Sequence, residues 1–175
     1  MPRELIALCG LAFSGKSTIA RQVAAATGAE LISHDAINKA RDFDGGTVIA
    51  DAEWEKTSLM AAATARAVLA SGRSVVVDDT FSHRFLRQRF AAVARASGAP
   101  FVLLFVDTPL AVIEARIAEN ARTGERGHIA PDVFAHHRDR FQFPGDDERP
   151  VRLVDVGDLD LWLAARRVDN VHQQT

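Results

Sequence analysis

The stretch Leu5-Ile6-Ala7-Leu8-Cys9-Gly10-Leu11-Ala12-Phe13-Ser14-Gly15-Lys16-Ser17 is an apolar run that meets a glycine and continues in the spacing G-x-x-x-x-G-K-[ST]. The apolar run predicts a short strand covered on both faces. Thr18 to Thr27 is Ala-rich and predicts a helix, with Gly28 as its stop. Strand, glycine-bearing turn and helix together make a phosphate cradle. The glycines allow a tight turn with inward-pointing N–H groups, and the helix adds the positive end of its dipole. Gly10, Ala12, Phe13, Ser14, Gly15, Lys16, Ser17 and Thr18 are therefore the candidate contacts to a nucleoside triphosphate, ATP or alternatively GTP. Lys16 is expected at the β- and γ-phosphates, and the Ser17 hydroxyl at Mg²⁺.

Outward from this unit, strands and helices alternate. Glu30-Leu31-Ile32-Ser33 predicts a second strand ending at His34-Asp35, and Asp42-Phe43-Asp44-Gly45-Gly46 a loop. A long helix is expected from about Glu53 to Ser71, stopped by Gly72. Ser74 to Asp78 is the clearest strand, because its consecutive valines favour extended backbone. The next helix is expected from about His83 to Ser97, capped by Ser82, with Leu86, Phe90 and Val93 as its apolar stripe. Arg84, Arg87, Arg89 and Arg95 read as its solvated face. Phe101 to Val106 predicts a fourth strand. Thr108-Pro109 opens a helix with Leu110, Ile113 and Ile117 toward the core. A charged segment from Arg122 to His128 with two glycines reads as a lid at about 120–130, and Pro131 starts a short helix. Val151 to Val156 suggests a fifth strand, and Leu159 to Arg167 a closing helix. The alternation predicts an α/β fold, a five-stranded parallel sheet with helices on both faces. With 175 residues and no linker-like tract, a single domain is expected.

In open α/β sheets ligands gather at the carboxyl ends of the strands. Besides the glycine loop, two such ends are polar: His34-Asp35 and Asp78-Asp79. An acidic residue after an apolar strand can hold Mg²⁺, so Asp78 and Asp79 join Ser17 as metal candidates, with turn capping as the plainer alternative. Transfer of a phosphoryl group to an alcohol needs a carboxylate to take the hydroxyl proton, and Asp35 is the candidate base. Charge on the transferred group calls for further cations, for which Arg122 and Arg126 in the lid segment are the candidates beside Lys16. Lid closure would also exclude water. Trp54, Phe43, Phe81 and Phe85 read first as packing residues, with acceptor contact as the alternative. The single cysteine, Cys9, reads as a packed core thiol, and the adjacent His136 and His137 lack metal-ligand spacing.

These motifs, in this order, resemble those of the small P-loop kinases. The features that carry the likeness are the glycine loop, Ile32-Ser33-His34-Asp35, Val75-Val76-Val77-Asp78-Asp79-Thr80, Phe105-Val106-Asp107-Thr108-Pro109 and the arginine-bearing lid. Chloramphenicol 3-O-phosphotransferase and the kinase domain of polynucleotide kinase belong to that group. The resemblance implies a P-loop three-layer sandwich, with Asp35 activating the acceptor hydroxyl. Where polynucleotide kinase has an arginine three residues after the base, this chain has Asn38, which weakens a grip on nucleic acid. A formal net charge of −2 gives no electrostatic case for coating a duplex. The lone cysteine points to the cytosol, and no apolar stretch reaches the roughly 20 residues that span a bilayer. The expected activity is ATP-dependent phosphorylation of a hydroxyl on a small metabolite or antibiotic. A 5′-hydroxyl nucleic-acid kinase and a nucleotide-dependent switch or regulatory ATPase are the alternatives.

Overall fold

Unbroken apolar runs along short strands leave both faces of the sheet in need of cover, and the helices supply it. The computed structural model describes residues 3–43, 49–124 and 131–172. Its elements are β1 (Leu5–Cys9), α1 (Lys16–Thr27), β2 (Glu30–Ser33), α2 (His34–Ala40), α3 (Asp51–Ala70), β3 (Val75–Asp78) and α4 (Arg84–Ala96). They continue with β4 (Phe101–Val106), α5 (Leu110–Thr123), α6 (Pro131–Arg140), a 3-10 turn (Asp146–Glu148), β5 (Val151–Leu153) and α7 (Val156–His172). The strands form one five-stranded sheet in the order β2-β3-β1-β4-β5, parallel throughout.

Leu5, Ala7 and Cys9 face one side, with Val75, Val77, Leu103 and Phe105, and are covered by Ala61, Ala65 and Leu69 of α3 and Phe90 and Val93 of α4. Ile6 and Leu8 face the other side, with Val76 and Leu104, against Ala20 and Val23 of α1 and Leu159 of α7. Three layers result. Because β1 lies between β3 and β4, and β3 between β1 and β2, the carboxyl ends of β2, β3 and β1 are neighbours. The register Leu8 to Asp78 and Ser33 to Asp78 levels those three ends.

Several local expectations change. The chain after β2 is a helix rather than a continuing strand end and loop: Ser33 Oγ accepts the Ala36 N–H at 3.3 Å, and Asp35 in the first turn complements the dipole. The N-cap of α4 is His83, not Ser82, whose carbonyl instead accepts from Gln142 N at 2.8 Å. Pro109 is the N-cap of α5, and Leu110 is exposed while Ile113 carries the burial. The fifth strand is shorter and the closing helix longer than expected, because Asp155 and Asp158 exchange side-chain and backbone bonds that turn the chain directly into α7. Asp44-Gly45-Gly46 and most of the lid segment, including Arg126, lie outside the described residues.

Candidate active site

The loop from Gly10 to Gly15 is shaped by contacts that only its own residues allow. A Cβ on Gly10 would stand 2.6 Å from the Val106 carbonyl oxygen, so any side chain is excluded there. Gly10 N donates to Thr80 O at 3.1 Å, tying the loop to the end of β3. Phe13 and Gly15 adopt positive φ, 62° and 99°, which curls the chain into the first turn of α1. Two outside side chains hold the loop's carbonyls: Thr108 Oγ1 donates to Ser14 O at 2.8 Å and Arg116 Nη1 to Phe13 O at 3.0 Å. With the Ser14 carbonyl engaged outward, the same peptide aims the Gly15 N–H into the loop, where an anion could accept it, while Ser14 N–H donates to Leu11 O at 3.2 Å and keeps the turn closed.

Lys16 opens α1 and is buried, its Nζ donating to Leu11 O at 2.7 Å. Burial pulls its pKa down, and the carboxylates of Asp78 and Asp79 oppose that pull. Ser17 follows on the same first turn. Asp78 ends β3 and is buried, and its carboxyl accepts no side-chain bond among the described residues. Asp79 is fully engaged. Its Oδ1 lies 3.2 Å from His34 Nδ1, and its Oδ2 accepts the Phe81 N–H at 3.0 Å. Burial alone would raise the Asp79 pKa, but the His34 charge and hydrogen bond and the backbone donors hold it at about 2. Burial likewise works against protonation of His34, and Asp79 overcomes it, so the imidazole pKa is raised.

Asp35 stands in the first turn of α2, one residue beyond His34. The residue is exposed overall, yet partial loss of water around its carboxyl, followed by the charges of Asp78 and Asp79, raises its pKa. A carboxylate pushed toward neutrality is a better proton acceptor than an ordinary one. Thus Lys16, Ser17, Asp35, Asp78 and Asp79 are gathered at one edge of the sheet by the adjacency of β1, β3 and β2. A hydroxyl on Ser17 and the unengaged Asp78 carboxylate are hard oxygen donors that fit Mg²⁺. Among the described residues no cluster of three or more acidic, histidine or cysteine side chains is placed to hold a metal ion.

Of the two arginines expected in the lid, only Arg122 lies among the described residues. Arg122 sits exposed in the last turn of α5, 3.2 Å from Glu119. Arg116, six residues earlier and about 9 Å nearer the helix start, is the arginine on the phosphate loop. Sequence reasoning missed it, since nothing in its spacing sets it apart from the other exposed arginines.

Among the aromatics, Phe81 is fully buried at a φ of 45° and cannot touch a ligand, whereas Phe85 and Trp54 are exposed. Phe85 stacks on His83 with ring centres 5.6 Å apart. Arg87 is not on a solvated face. It is buried, donates to the Phe81 and Gln142 carbonyls at 2.8 Å each, and pairs with Glu148 at 2.6 Å. The Cys9 thiol donates to the same Phe81 carbonyl at 3.6 Å, and burial pushes its pKa up to about 12, as befits a packed core thiol.

Comparison with known proteins agrees with this architecture. The chain is similar in structure to a sugar kinase from Janibacter sp. HTCC2649 (TM-score 0.70, 21% identity, covering 96% of this chain and 94% of that one). It is similar to a gluconokinase from Sinorhizobium meliloti 1021 (TM-score 0.67, 22% identity, covering 99% and 98%). It is also similar to the APS kinase of Mycobacterium tuberculosis in complex with AMPPNP and APS (TM-score 0.65, 21% identity, covering 98% of each). No curated protein matches the chain in sequence. A family model, AAA_33, described as an AAA domain, matches residues 5–144, which takes in the glycine loop, Asp35, the Asp78-Asp79 pair and α5. The chain belongs to the AAA_33 family of AAA domains.

Proposed function

We propose that the chain is an ATP-dependent phosphotransferase that moves the γ-phosphoryl group to a hydroxyl of a small molecule. The observation that carries this reading is the placement of Asp35. Its carboxyl, with a raised pKa, follows the end of β2, across the acidic end of β3 from Lys16, which supports a role toward an acceptor bound there. A nucleotide switch needs a binding loop and no such base. The names of similar structures, a sugar kinase and a gluconokinase among them, support a polyol or comparable acceptor.

In the proposed reaction the triphosphate lies along the backbone N–H groups from Ala12 to Thr18, with Lys16 at the β- and γ-phosphates. Mg²⁺, held by Ser17 and Asp78, would neutralise charge between those phosphates. Asp35 accepts the acceptor's hydroxyl proton as its oxygen bonds to the γ-phosphorus. The bond from that phosphorus to the β–γ bridging oxygen breaks, and ADP leaves with the electron pair. Lys16 and Arg116 meet the charge that develops on the transferred group and the leaving oxygen. Asp79, fully bonded within the fold, is left out of the metal shell. Arg122 and Arg126 are the further cations proposed for the charge on the transferred group.

Mass spectrometry of a panel of hydroxylated small molecules incubated with protein, ATP and Mg²⁺ tests the reading, the expected result being a gain of one phosphate on an acceptor. Asp35→Asn should retain nucleotide binding and lose about two orders of magnitude or more in transfer. Transfer only to an oligonucleotide 5′ end would replace the acceptor class. Nucleotide turnover with no acceptor phosphorylated would favour the switch.

A further inference from the structure

His34 and Asp79 form the one ion pair among the described residues that joins the acceptor side of the site to the β3 end, and their chain neighbours are the two working carboxylates. The pair is sequestered. His34 and Asp79 have side chains 4% and 11% exposed, and the imidazole lies with its ring centre 6.1 Å from each of Phe81 and Phe90. Those two phenyl rings meet edge to face at 5.1 Å, so the imidazole is wedged in place. Alternation along β3 explains why the adjacent aspartates part company. Val76 faces α1, Val75 and Val77 face α3 and α4, and by the same alternation the next residue, Asp78, returns to the α1 side, where Ser17 stands in the first turn of the helix. Asp79 meets His34 beside Phe81 and Phe90, on the α3 and α4 side.

We propose that His34 is a positioning residue: by holding Asp79 through Nδ1 it pins the first turn of α2 to the end of β3 and fixes the spacing between Asp35 and Asp78. Asp35 is joined to His34, and Asp78 to Asp79, by one peptide each. A bond of 3.2 Å between the inner two residues therefore limits the movement of the outer two. Ser33 caps α2 from within, but that cap leaves the helix's tilt against β3 undefined. The Phe81 N–H on the second Asp79 oxygen closes the clamp from the other side.

This inference rests on the kinase reading for its catalytic consequence and stands apart from it for its structural one. Two substitutions separate clamp from filler. His34→Asn keeps a donor close to the position of Nδ1 but loses most of the ring, whereas His34→Leu fills the space between the phenyl rings and donates nothing. If the bond is what matters, His34→Leu lowers kcat by about 10–100-fold with the KM for MgATP changed less than about twofold, and His34→Asn keeps kcat within about fivefold of wild type. Hydrogen exchange of the α2 amides should rise in His34→Leu and stay near wild type in His34→Asn. The opposite ranking, with His34→Leu active and His34→Asn impaired, would overturn the clamp in favour of packing. Should His34→Leu fail to fold, a loss of more than tenfold in kcat in His34→Asn alone overturns it. A wild type that phosphorylates no acceptor, with the α2 exchange pattern as expected, leaves the clamp standing and removes the kinase reading. An active wild type with α2 exchange and kcat unchanged in His34→Leu removes the clamp alone.

Discussion

Lys16 is a cation held almost out of water by a carbonyl of its own loop, and the cost of that burial is offset by the carboxylates at the β3 end. Phosphate oxygens would supply better partners than the Leu11 carbonyl, so the ammonium is placed to exchange one for the other. Lys16→Ala should lower kcat/KM by about a thousandfold, on the scale of losing a preorganised charge stabiliser. Steady-state assay with the acceptor found in the screen measures it. Arg116 works from outside the loop, on the Phe13 carbonyl and close to Gly15, where an added Cβ would come within 3.3 Å of its Nη1. Arg116→Ala should raise the Kd for ATP about tenfold, equivalent to ~1.4 kcal/mol and the scale of one charge-assisted hydrogen bond. Titration calorimetry reads that change, and an unaltered Kd would confine Arg116 to shaping the loop. Lys16 was legible in the sequence because its motif fixes its neighbours. Arg116 was not, because a helix surface imposes no residue type and only the folded contact distinguishes one exposed arginine from another.

Between residues and fold, the short α2 and the segment from Phe141 to Glu148 show why some elements escape a periodicity reading. α2 has seven residues, too few for a hydrophobic pattern, and its signal is the Ser33 cap followed by Asp35. The strands β1, β3 and β4 were legible because continuous β-branched or apolar runs have few other uses. In α4, Arg87, Phe90 and Ala94 recur at i, i+3 and i+7 and all are buried, so the period already placed Arg87 inward, although residue type argued for the surface. What makes its burial tolerable is remote in sequence: Glu148 and the Gln142 carbonyl, reinforced by Arg84 N on Gln142 Oε1 at 2.8 Å. This lashes the chain after α6 to the loop that follows Asp78 at the end of β3 and carries Asp79. Arg87→Ala should therefore destabilise the fold by about 3–5 kcal/mol, since it strands a shielded carboxylate and two carbonyls. Replacing the pair with apolar residues, Arg87→Met with Glu148→Leu, should recover part of that loss. Urea unfolding of the three proteins decides it, and equal stability of Arg87→Ala and wild type would reduce the lashing to a surface contact.

At the scale of the whole molecule, the parallel sheet concentrates ionisable groups at one sheltered edge, so folding stability must depend on pH in a direction those groups set. Asp79, held at about 2 in the fold, contributes stability that is present above its ordinary 3.8 and is lost as pH falls toward 2. His34, with a raised pKa, contributes fully below its ordinary 6.5, and that contribution fades as pH rises through the raised value. Asp35 has the opposite sign to Asp79: its raised pKa favours the protonated form, so it opposes folding at neutral pH and relaxes on acidification. His137 of α6 decides the range between. Its ring meets Phe141 edge-on at a centroid distance of 5.9 Å, and burial, then the Lys16 charge, lowers its pKa to about 4. The unfolded chain takes up a proton at that imidazole near 6.5 while the fold refuses it until about 4, so the unfolded state binds more protons across this interval and stability is lost as pH drops through it. The loss at this one site amounts to up to about 3 kcal/mol by pH 4. His137→Gln removes the titration while keeping a neutral polar group of similar reach. Urea midpoints at pH 7 and pH 4.5 should then diverge: wild type should lose stability over the interval, and His137→Gln should lose less by roughly 2 kcal/mol or more. Parallel losses in the two proteins would show that the acid limb belongs to other carboxylates and that His137 stays solvated. A smaller loss in the variant would show that α6 is packed down closely enough to shelter the His137 imidazole from water.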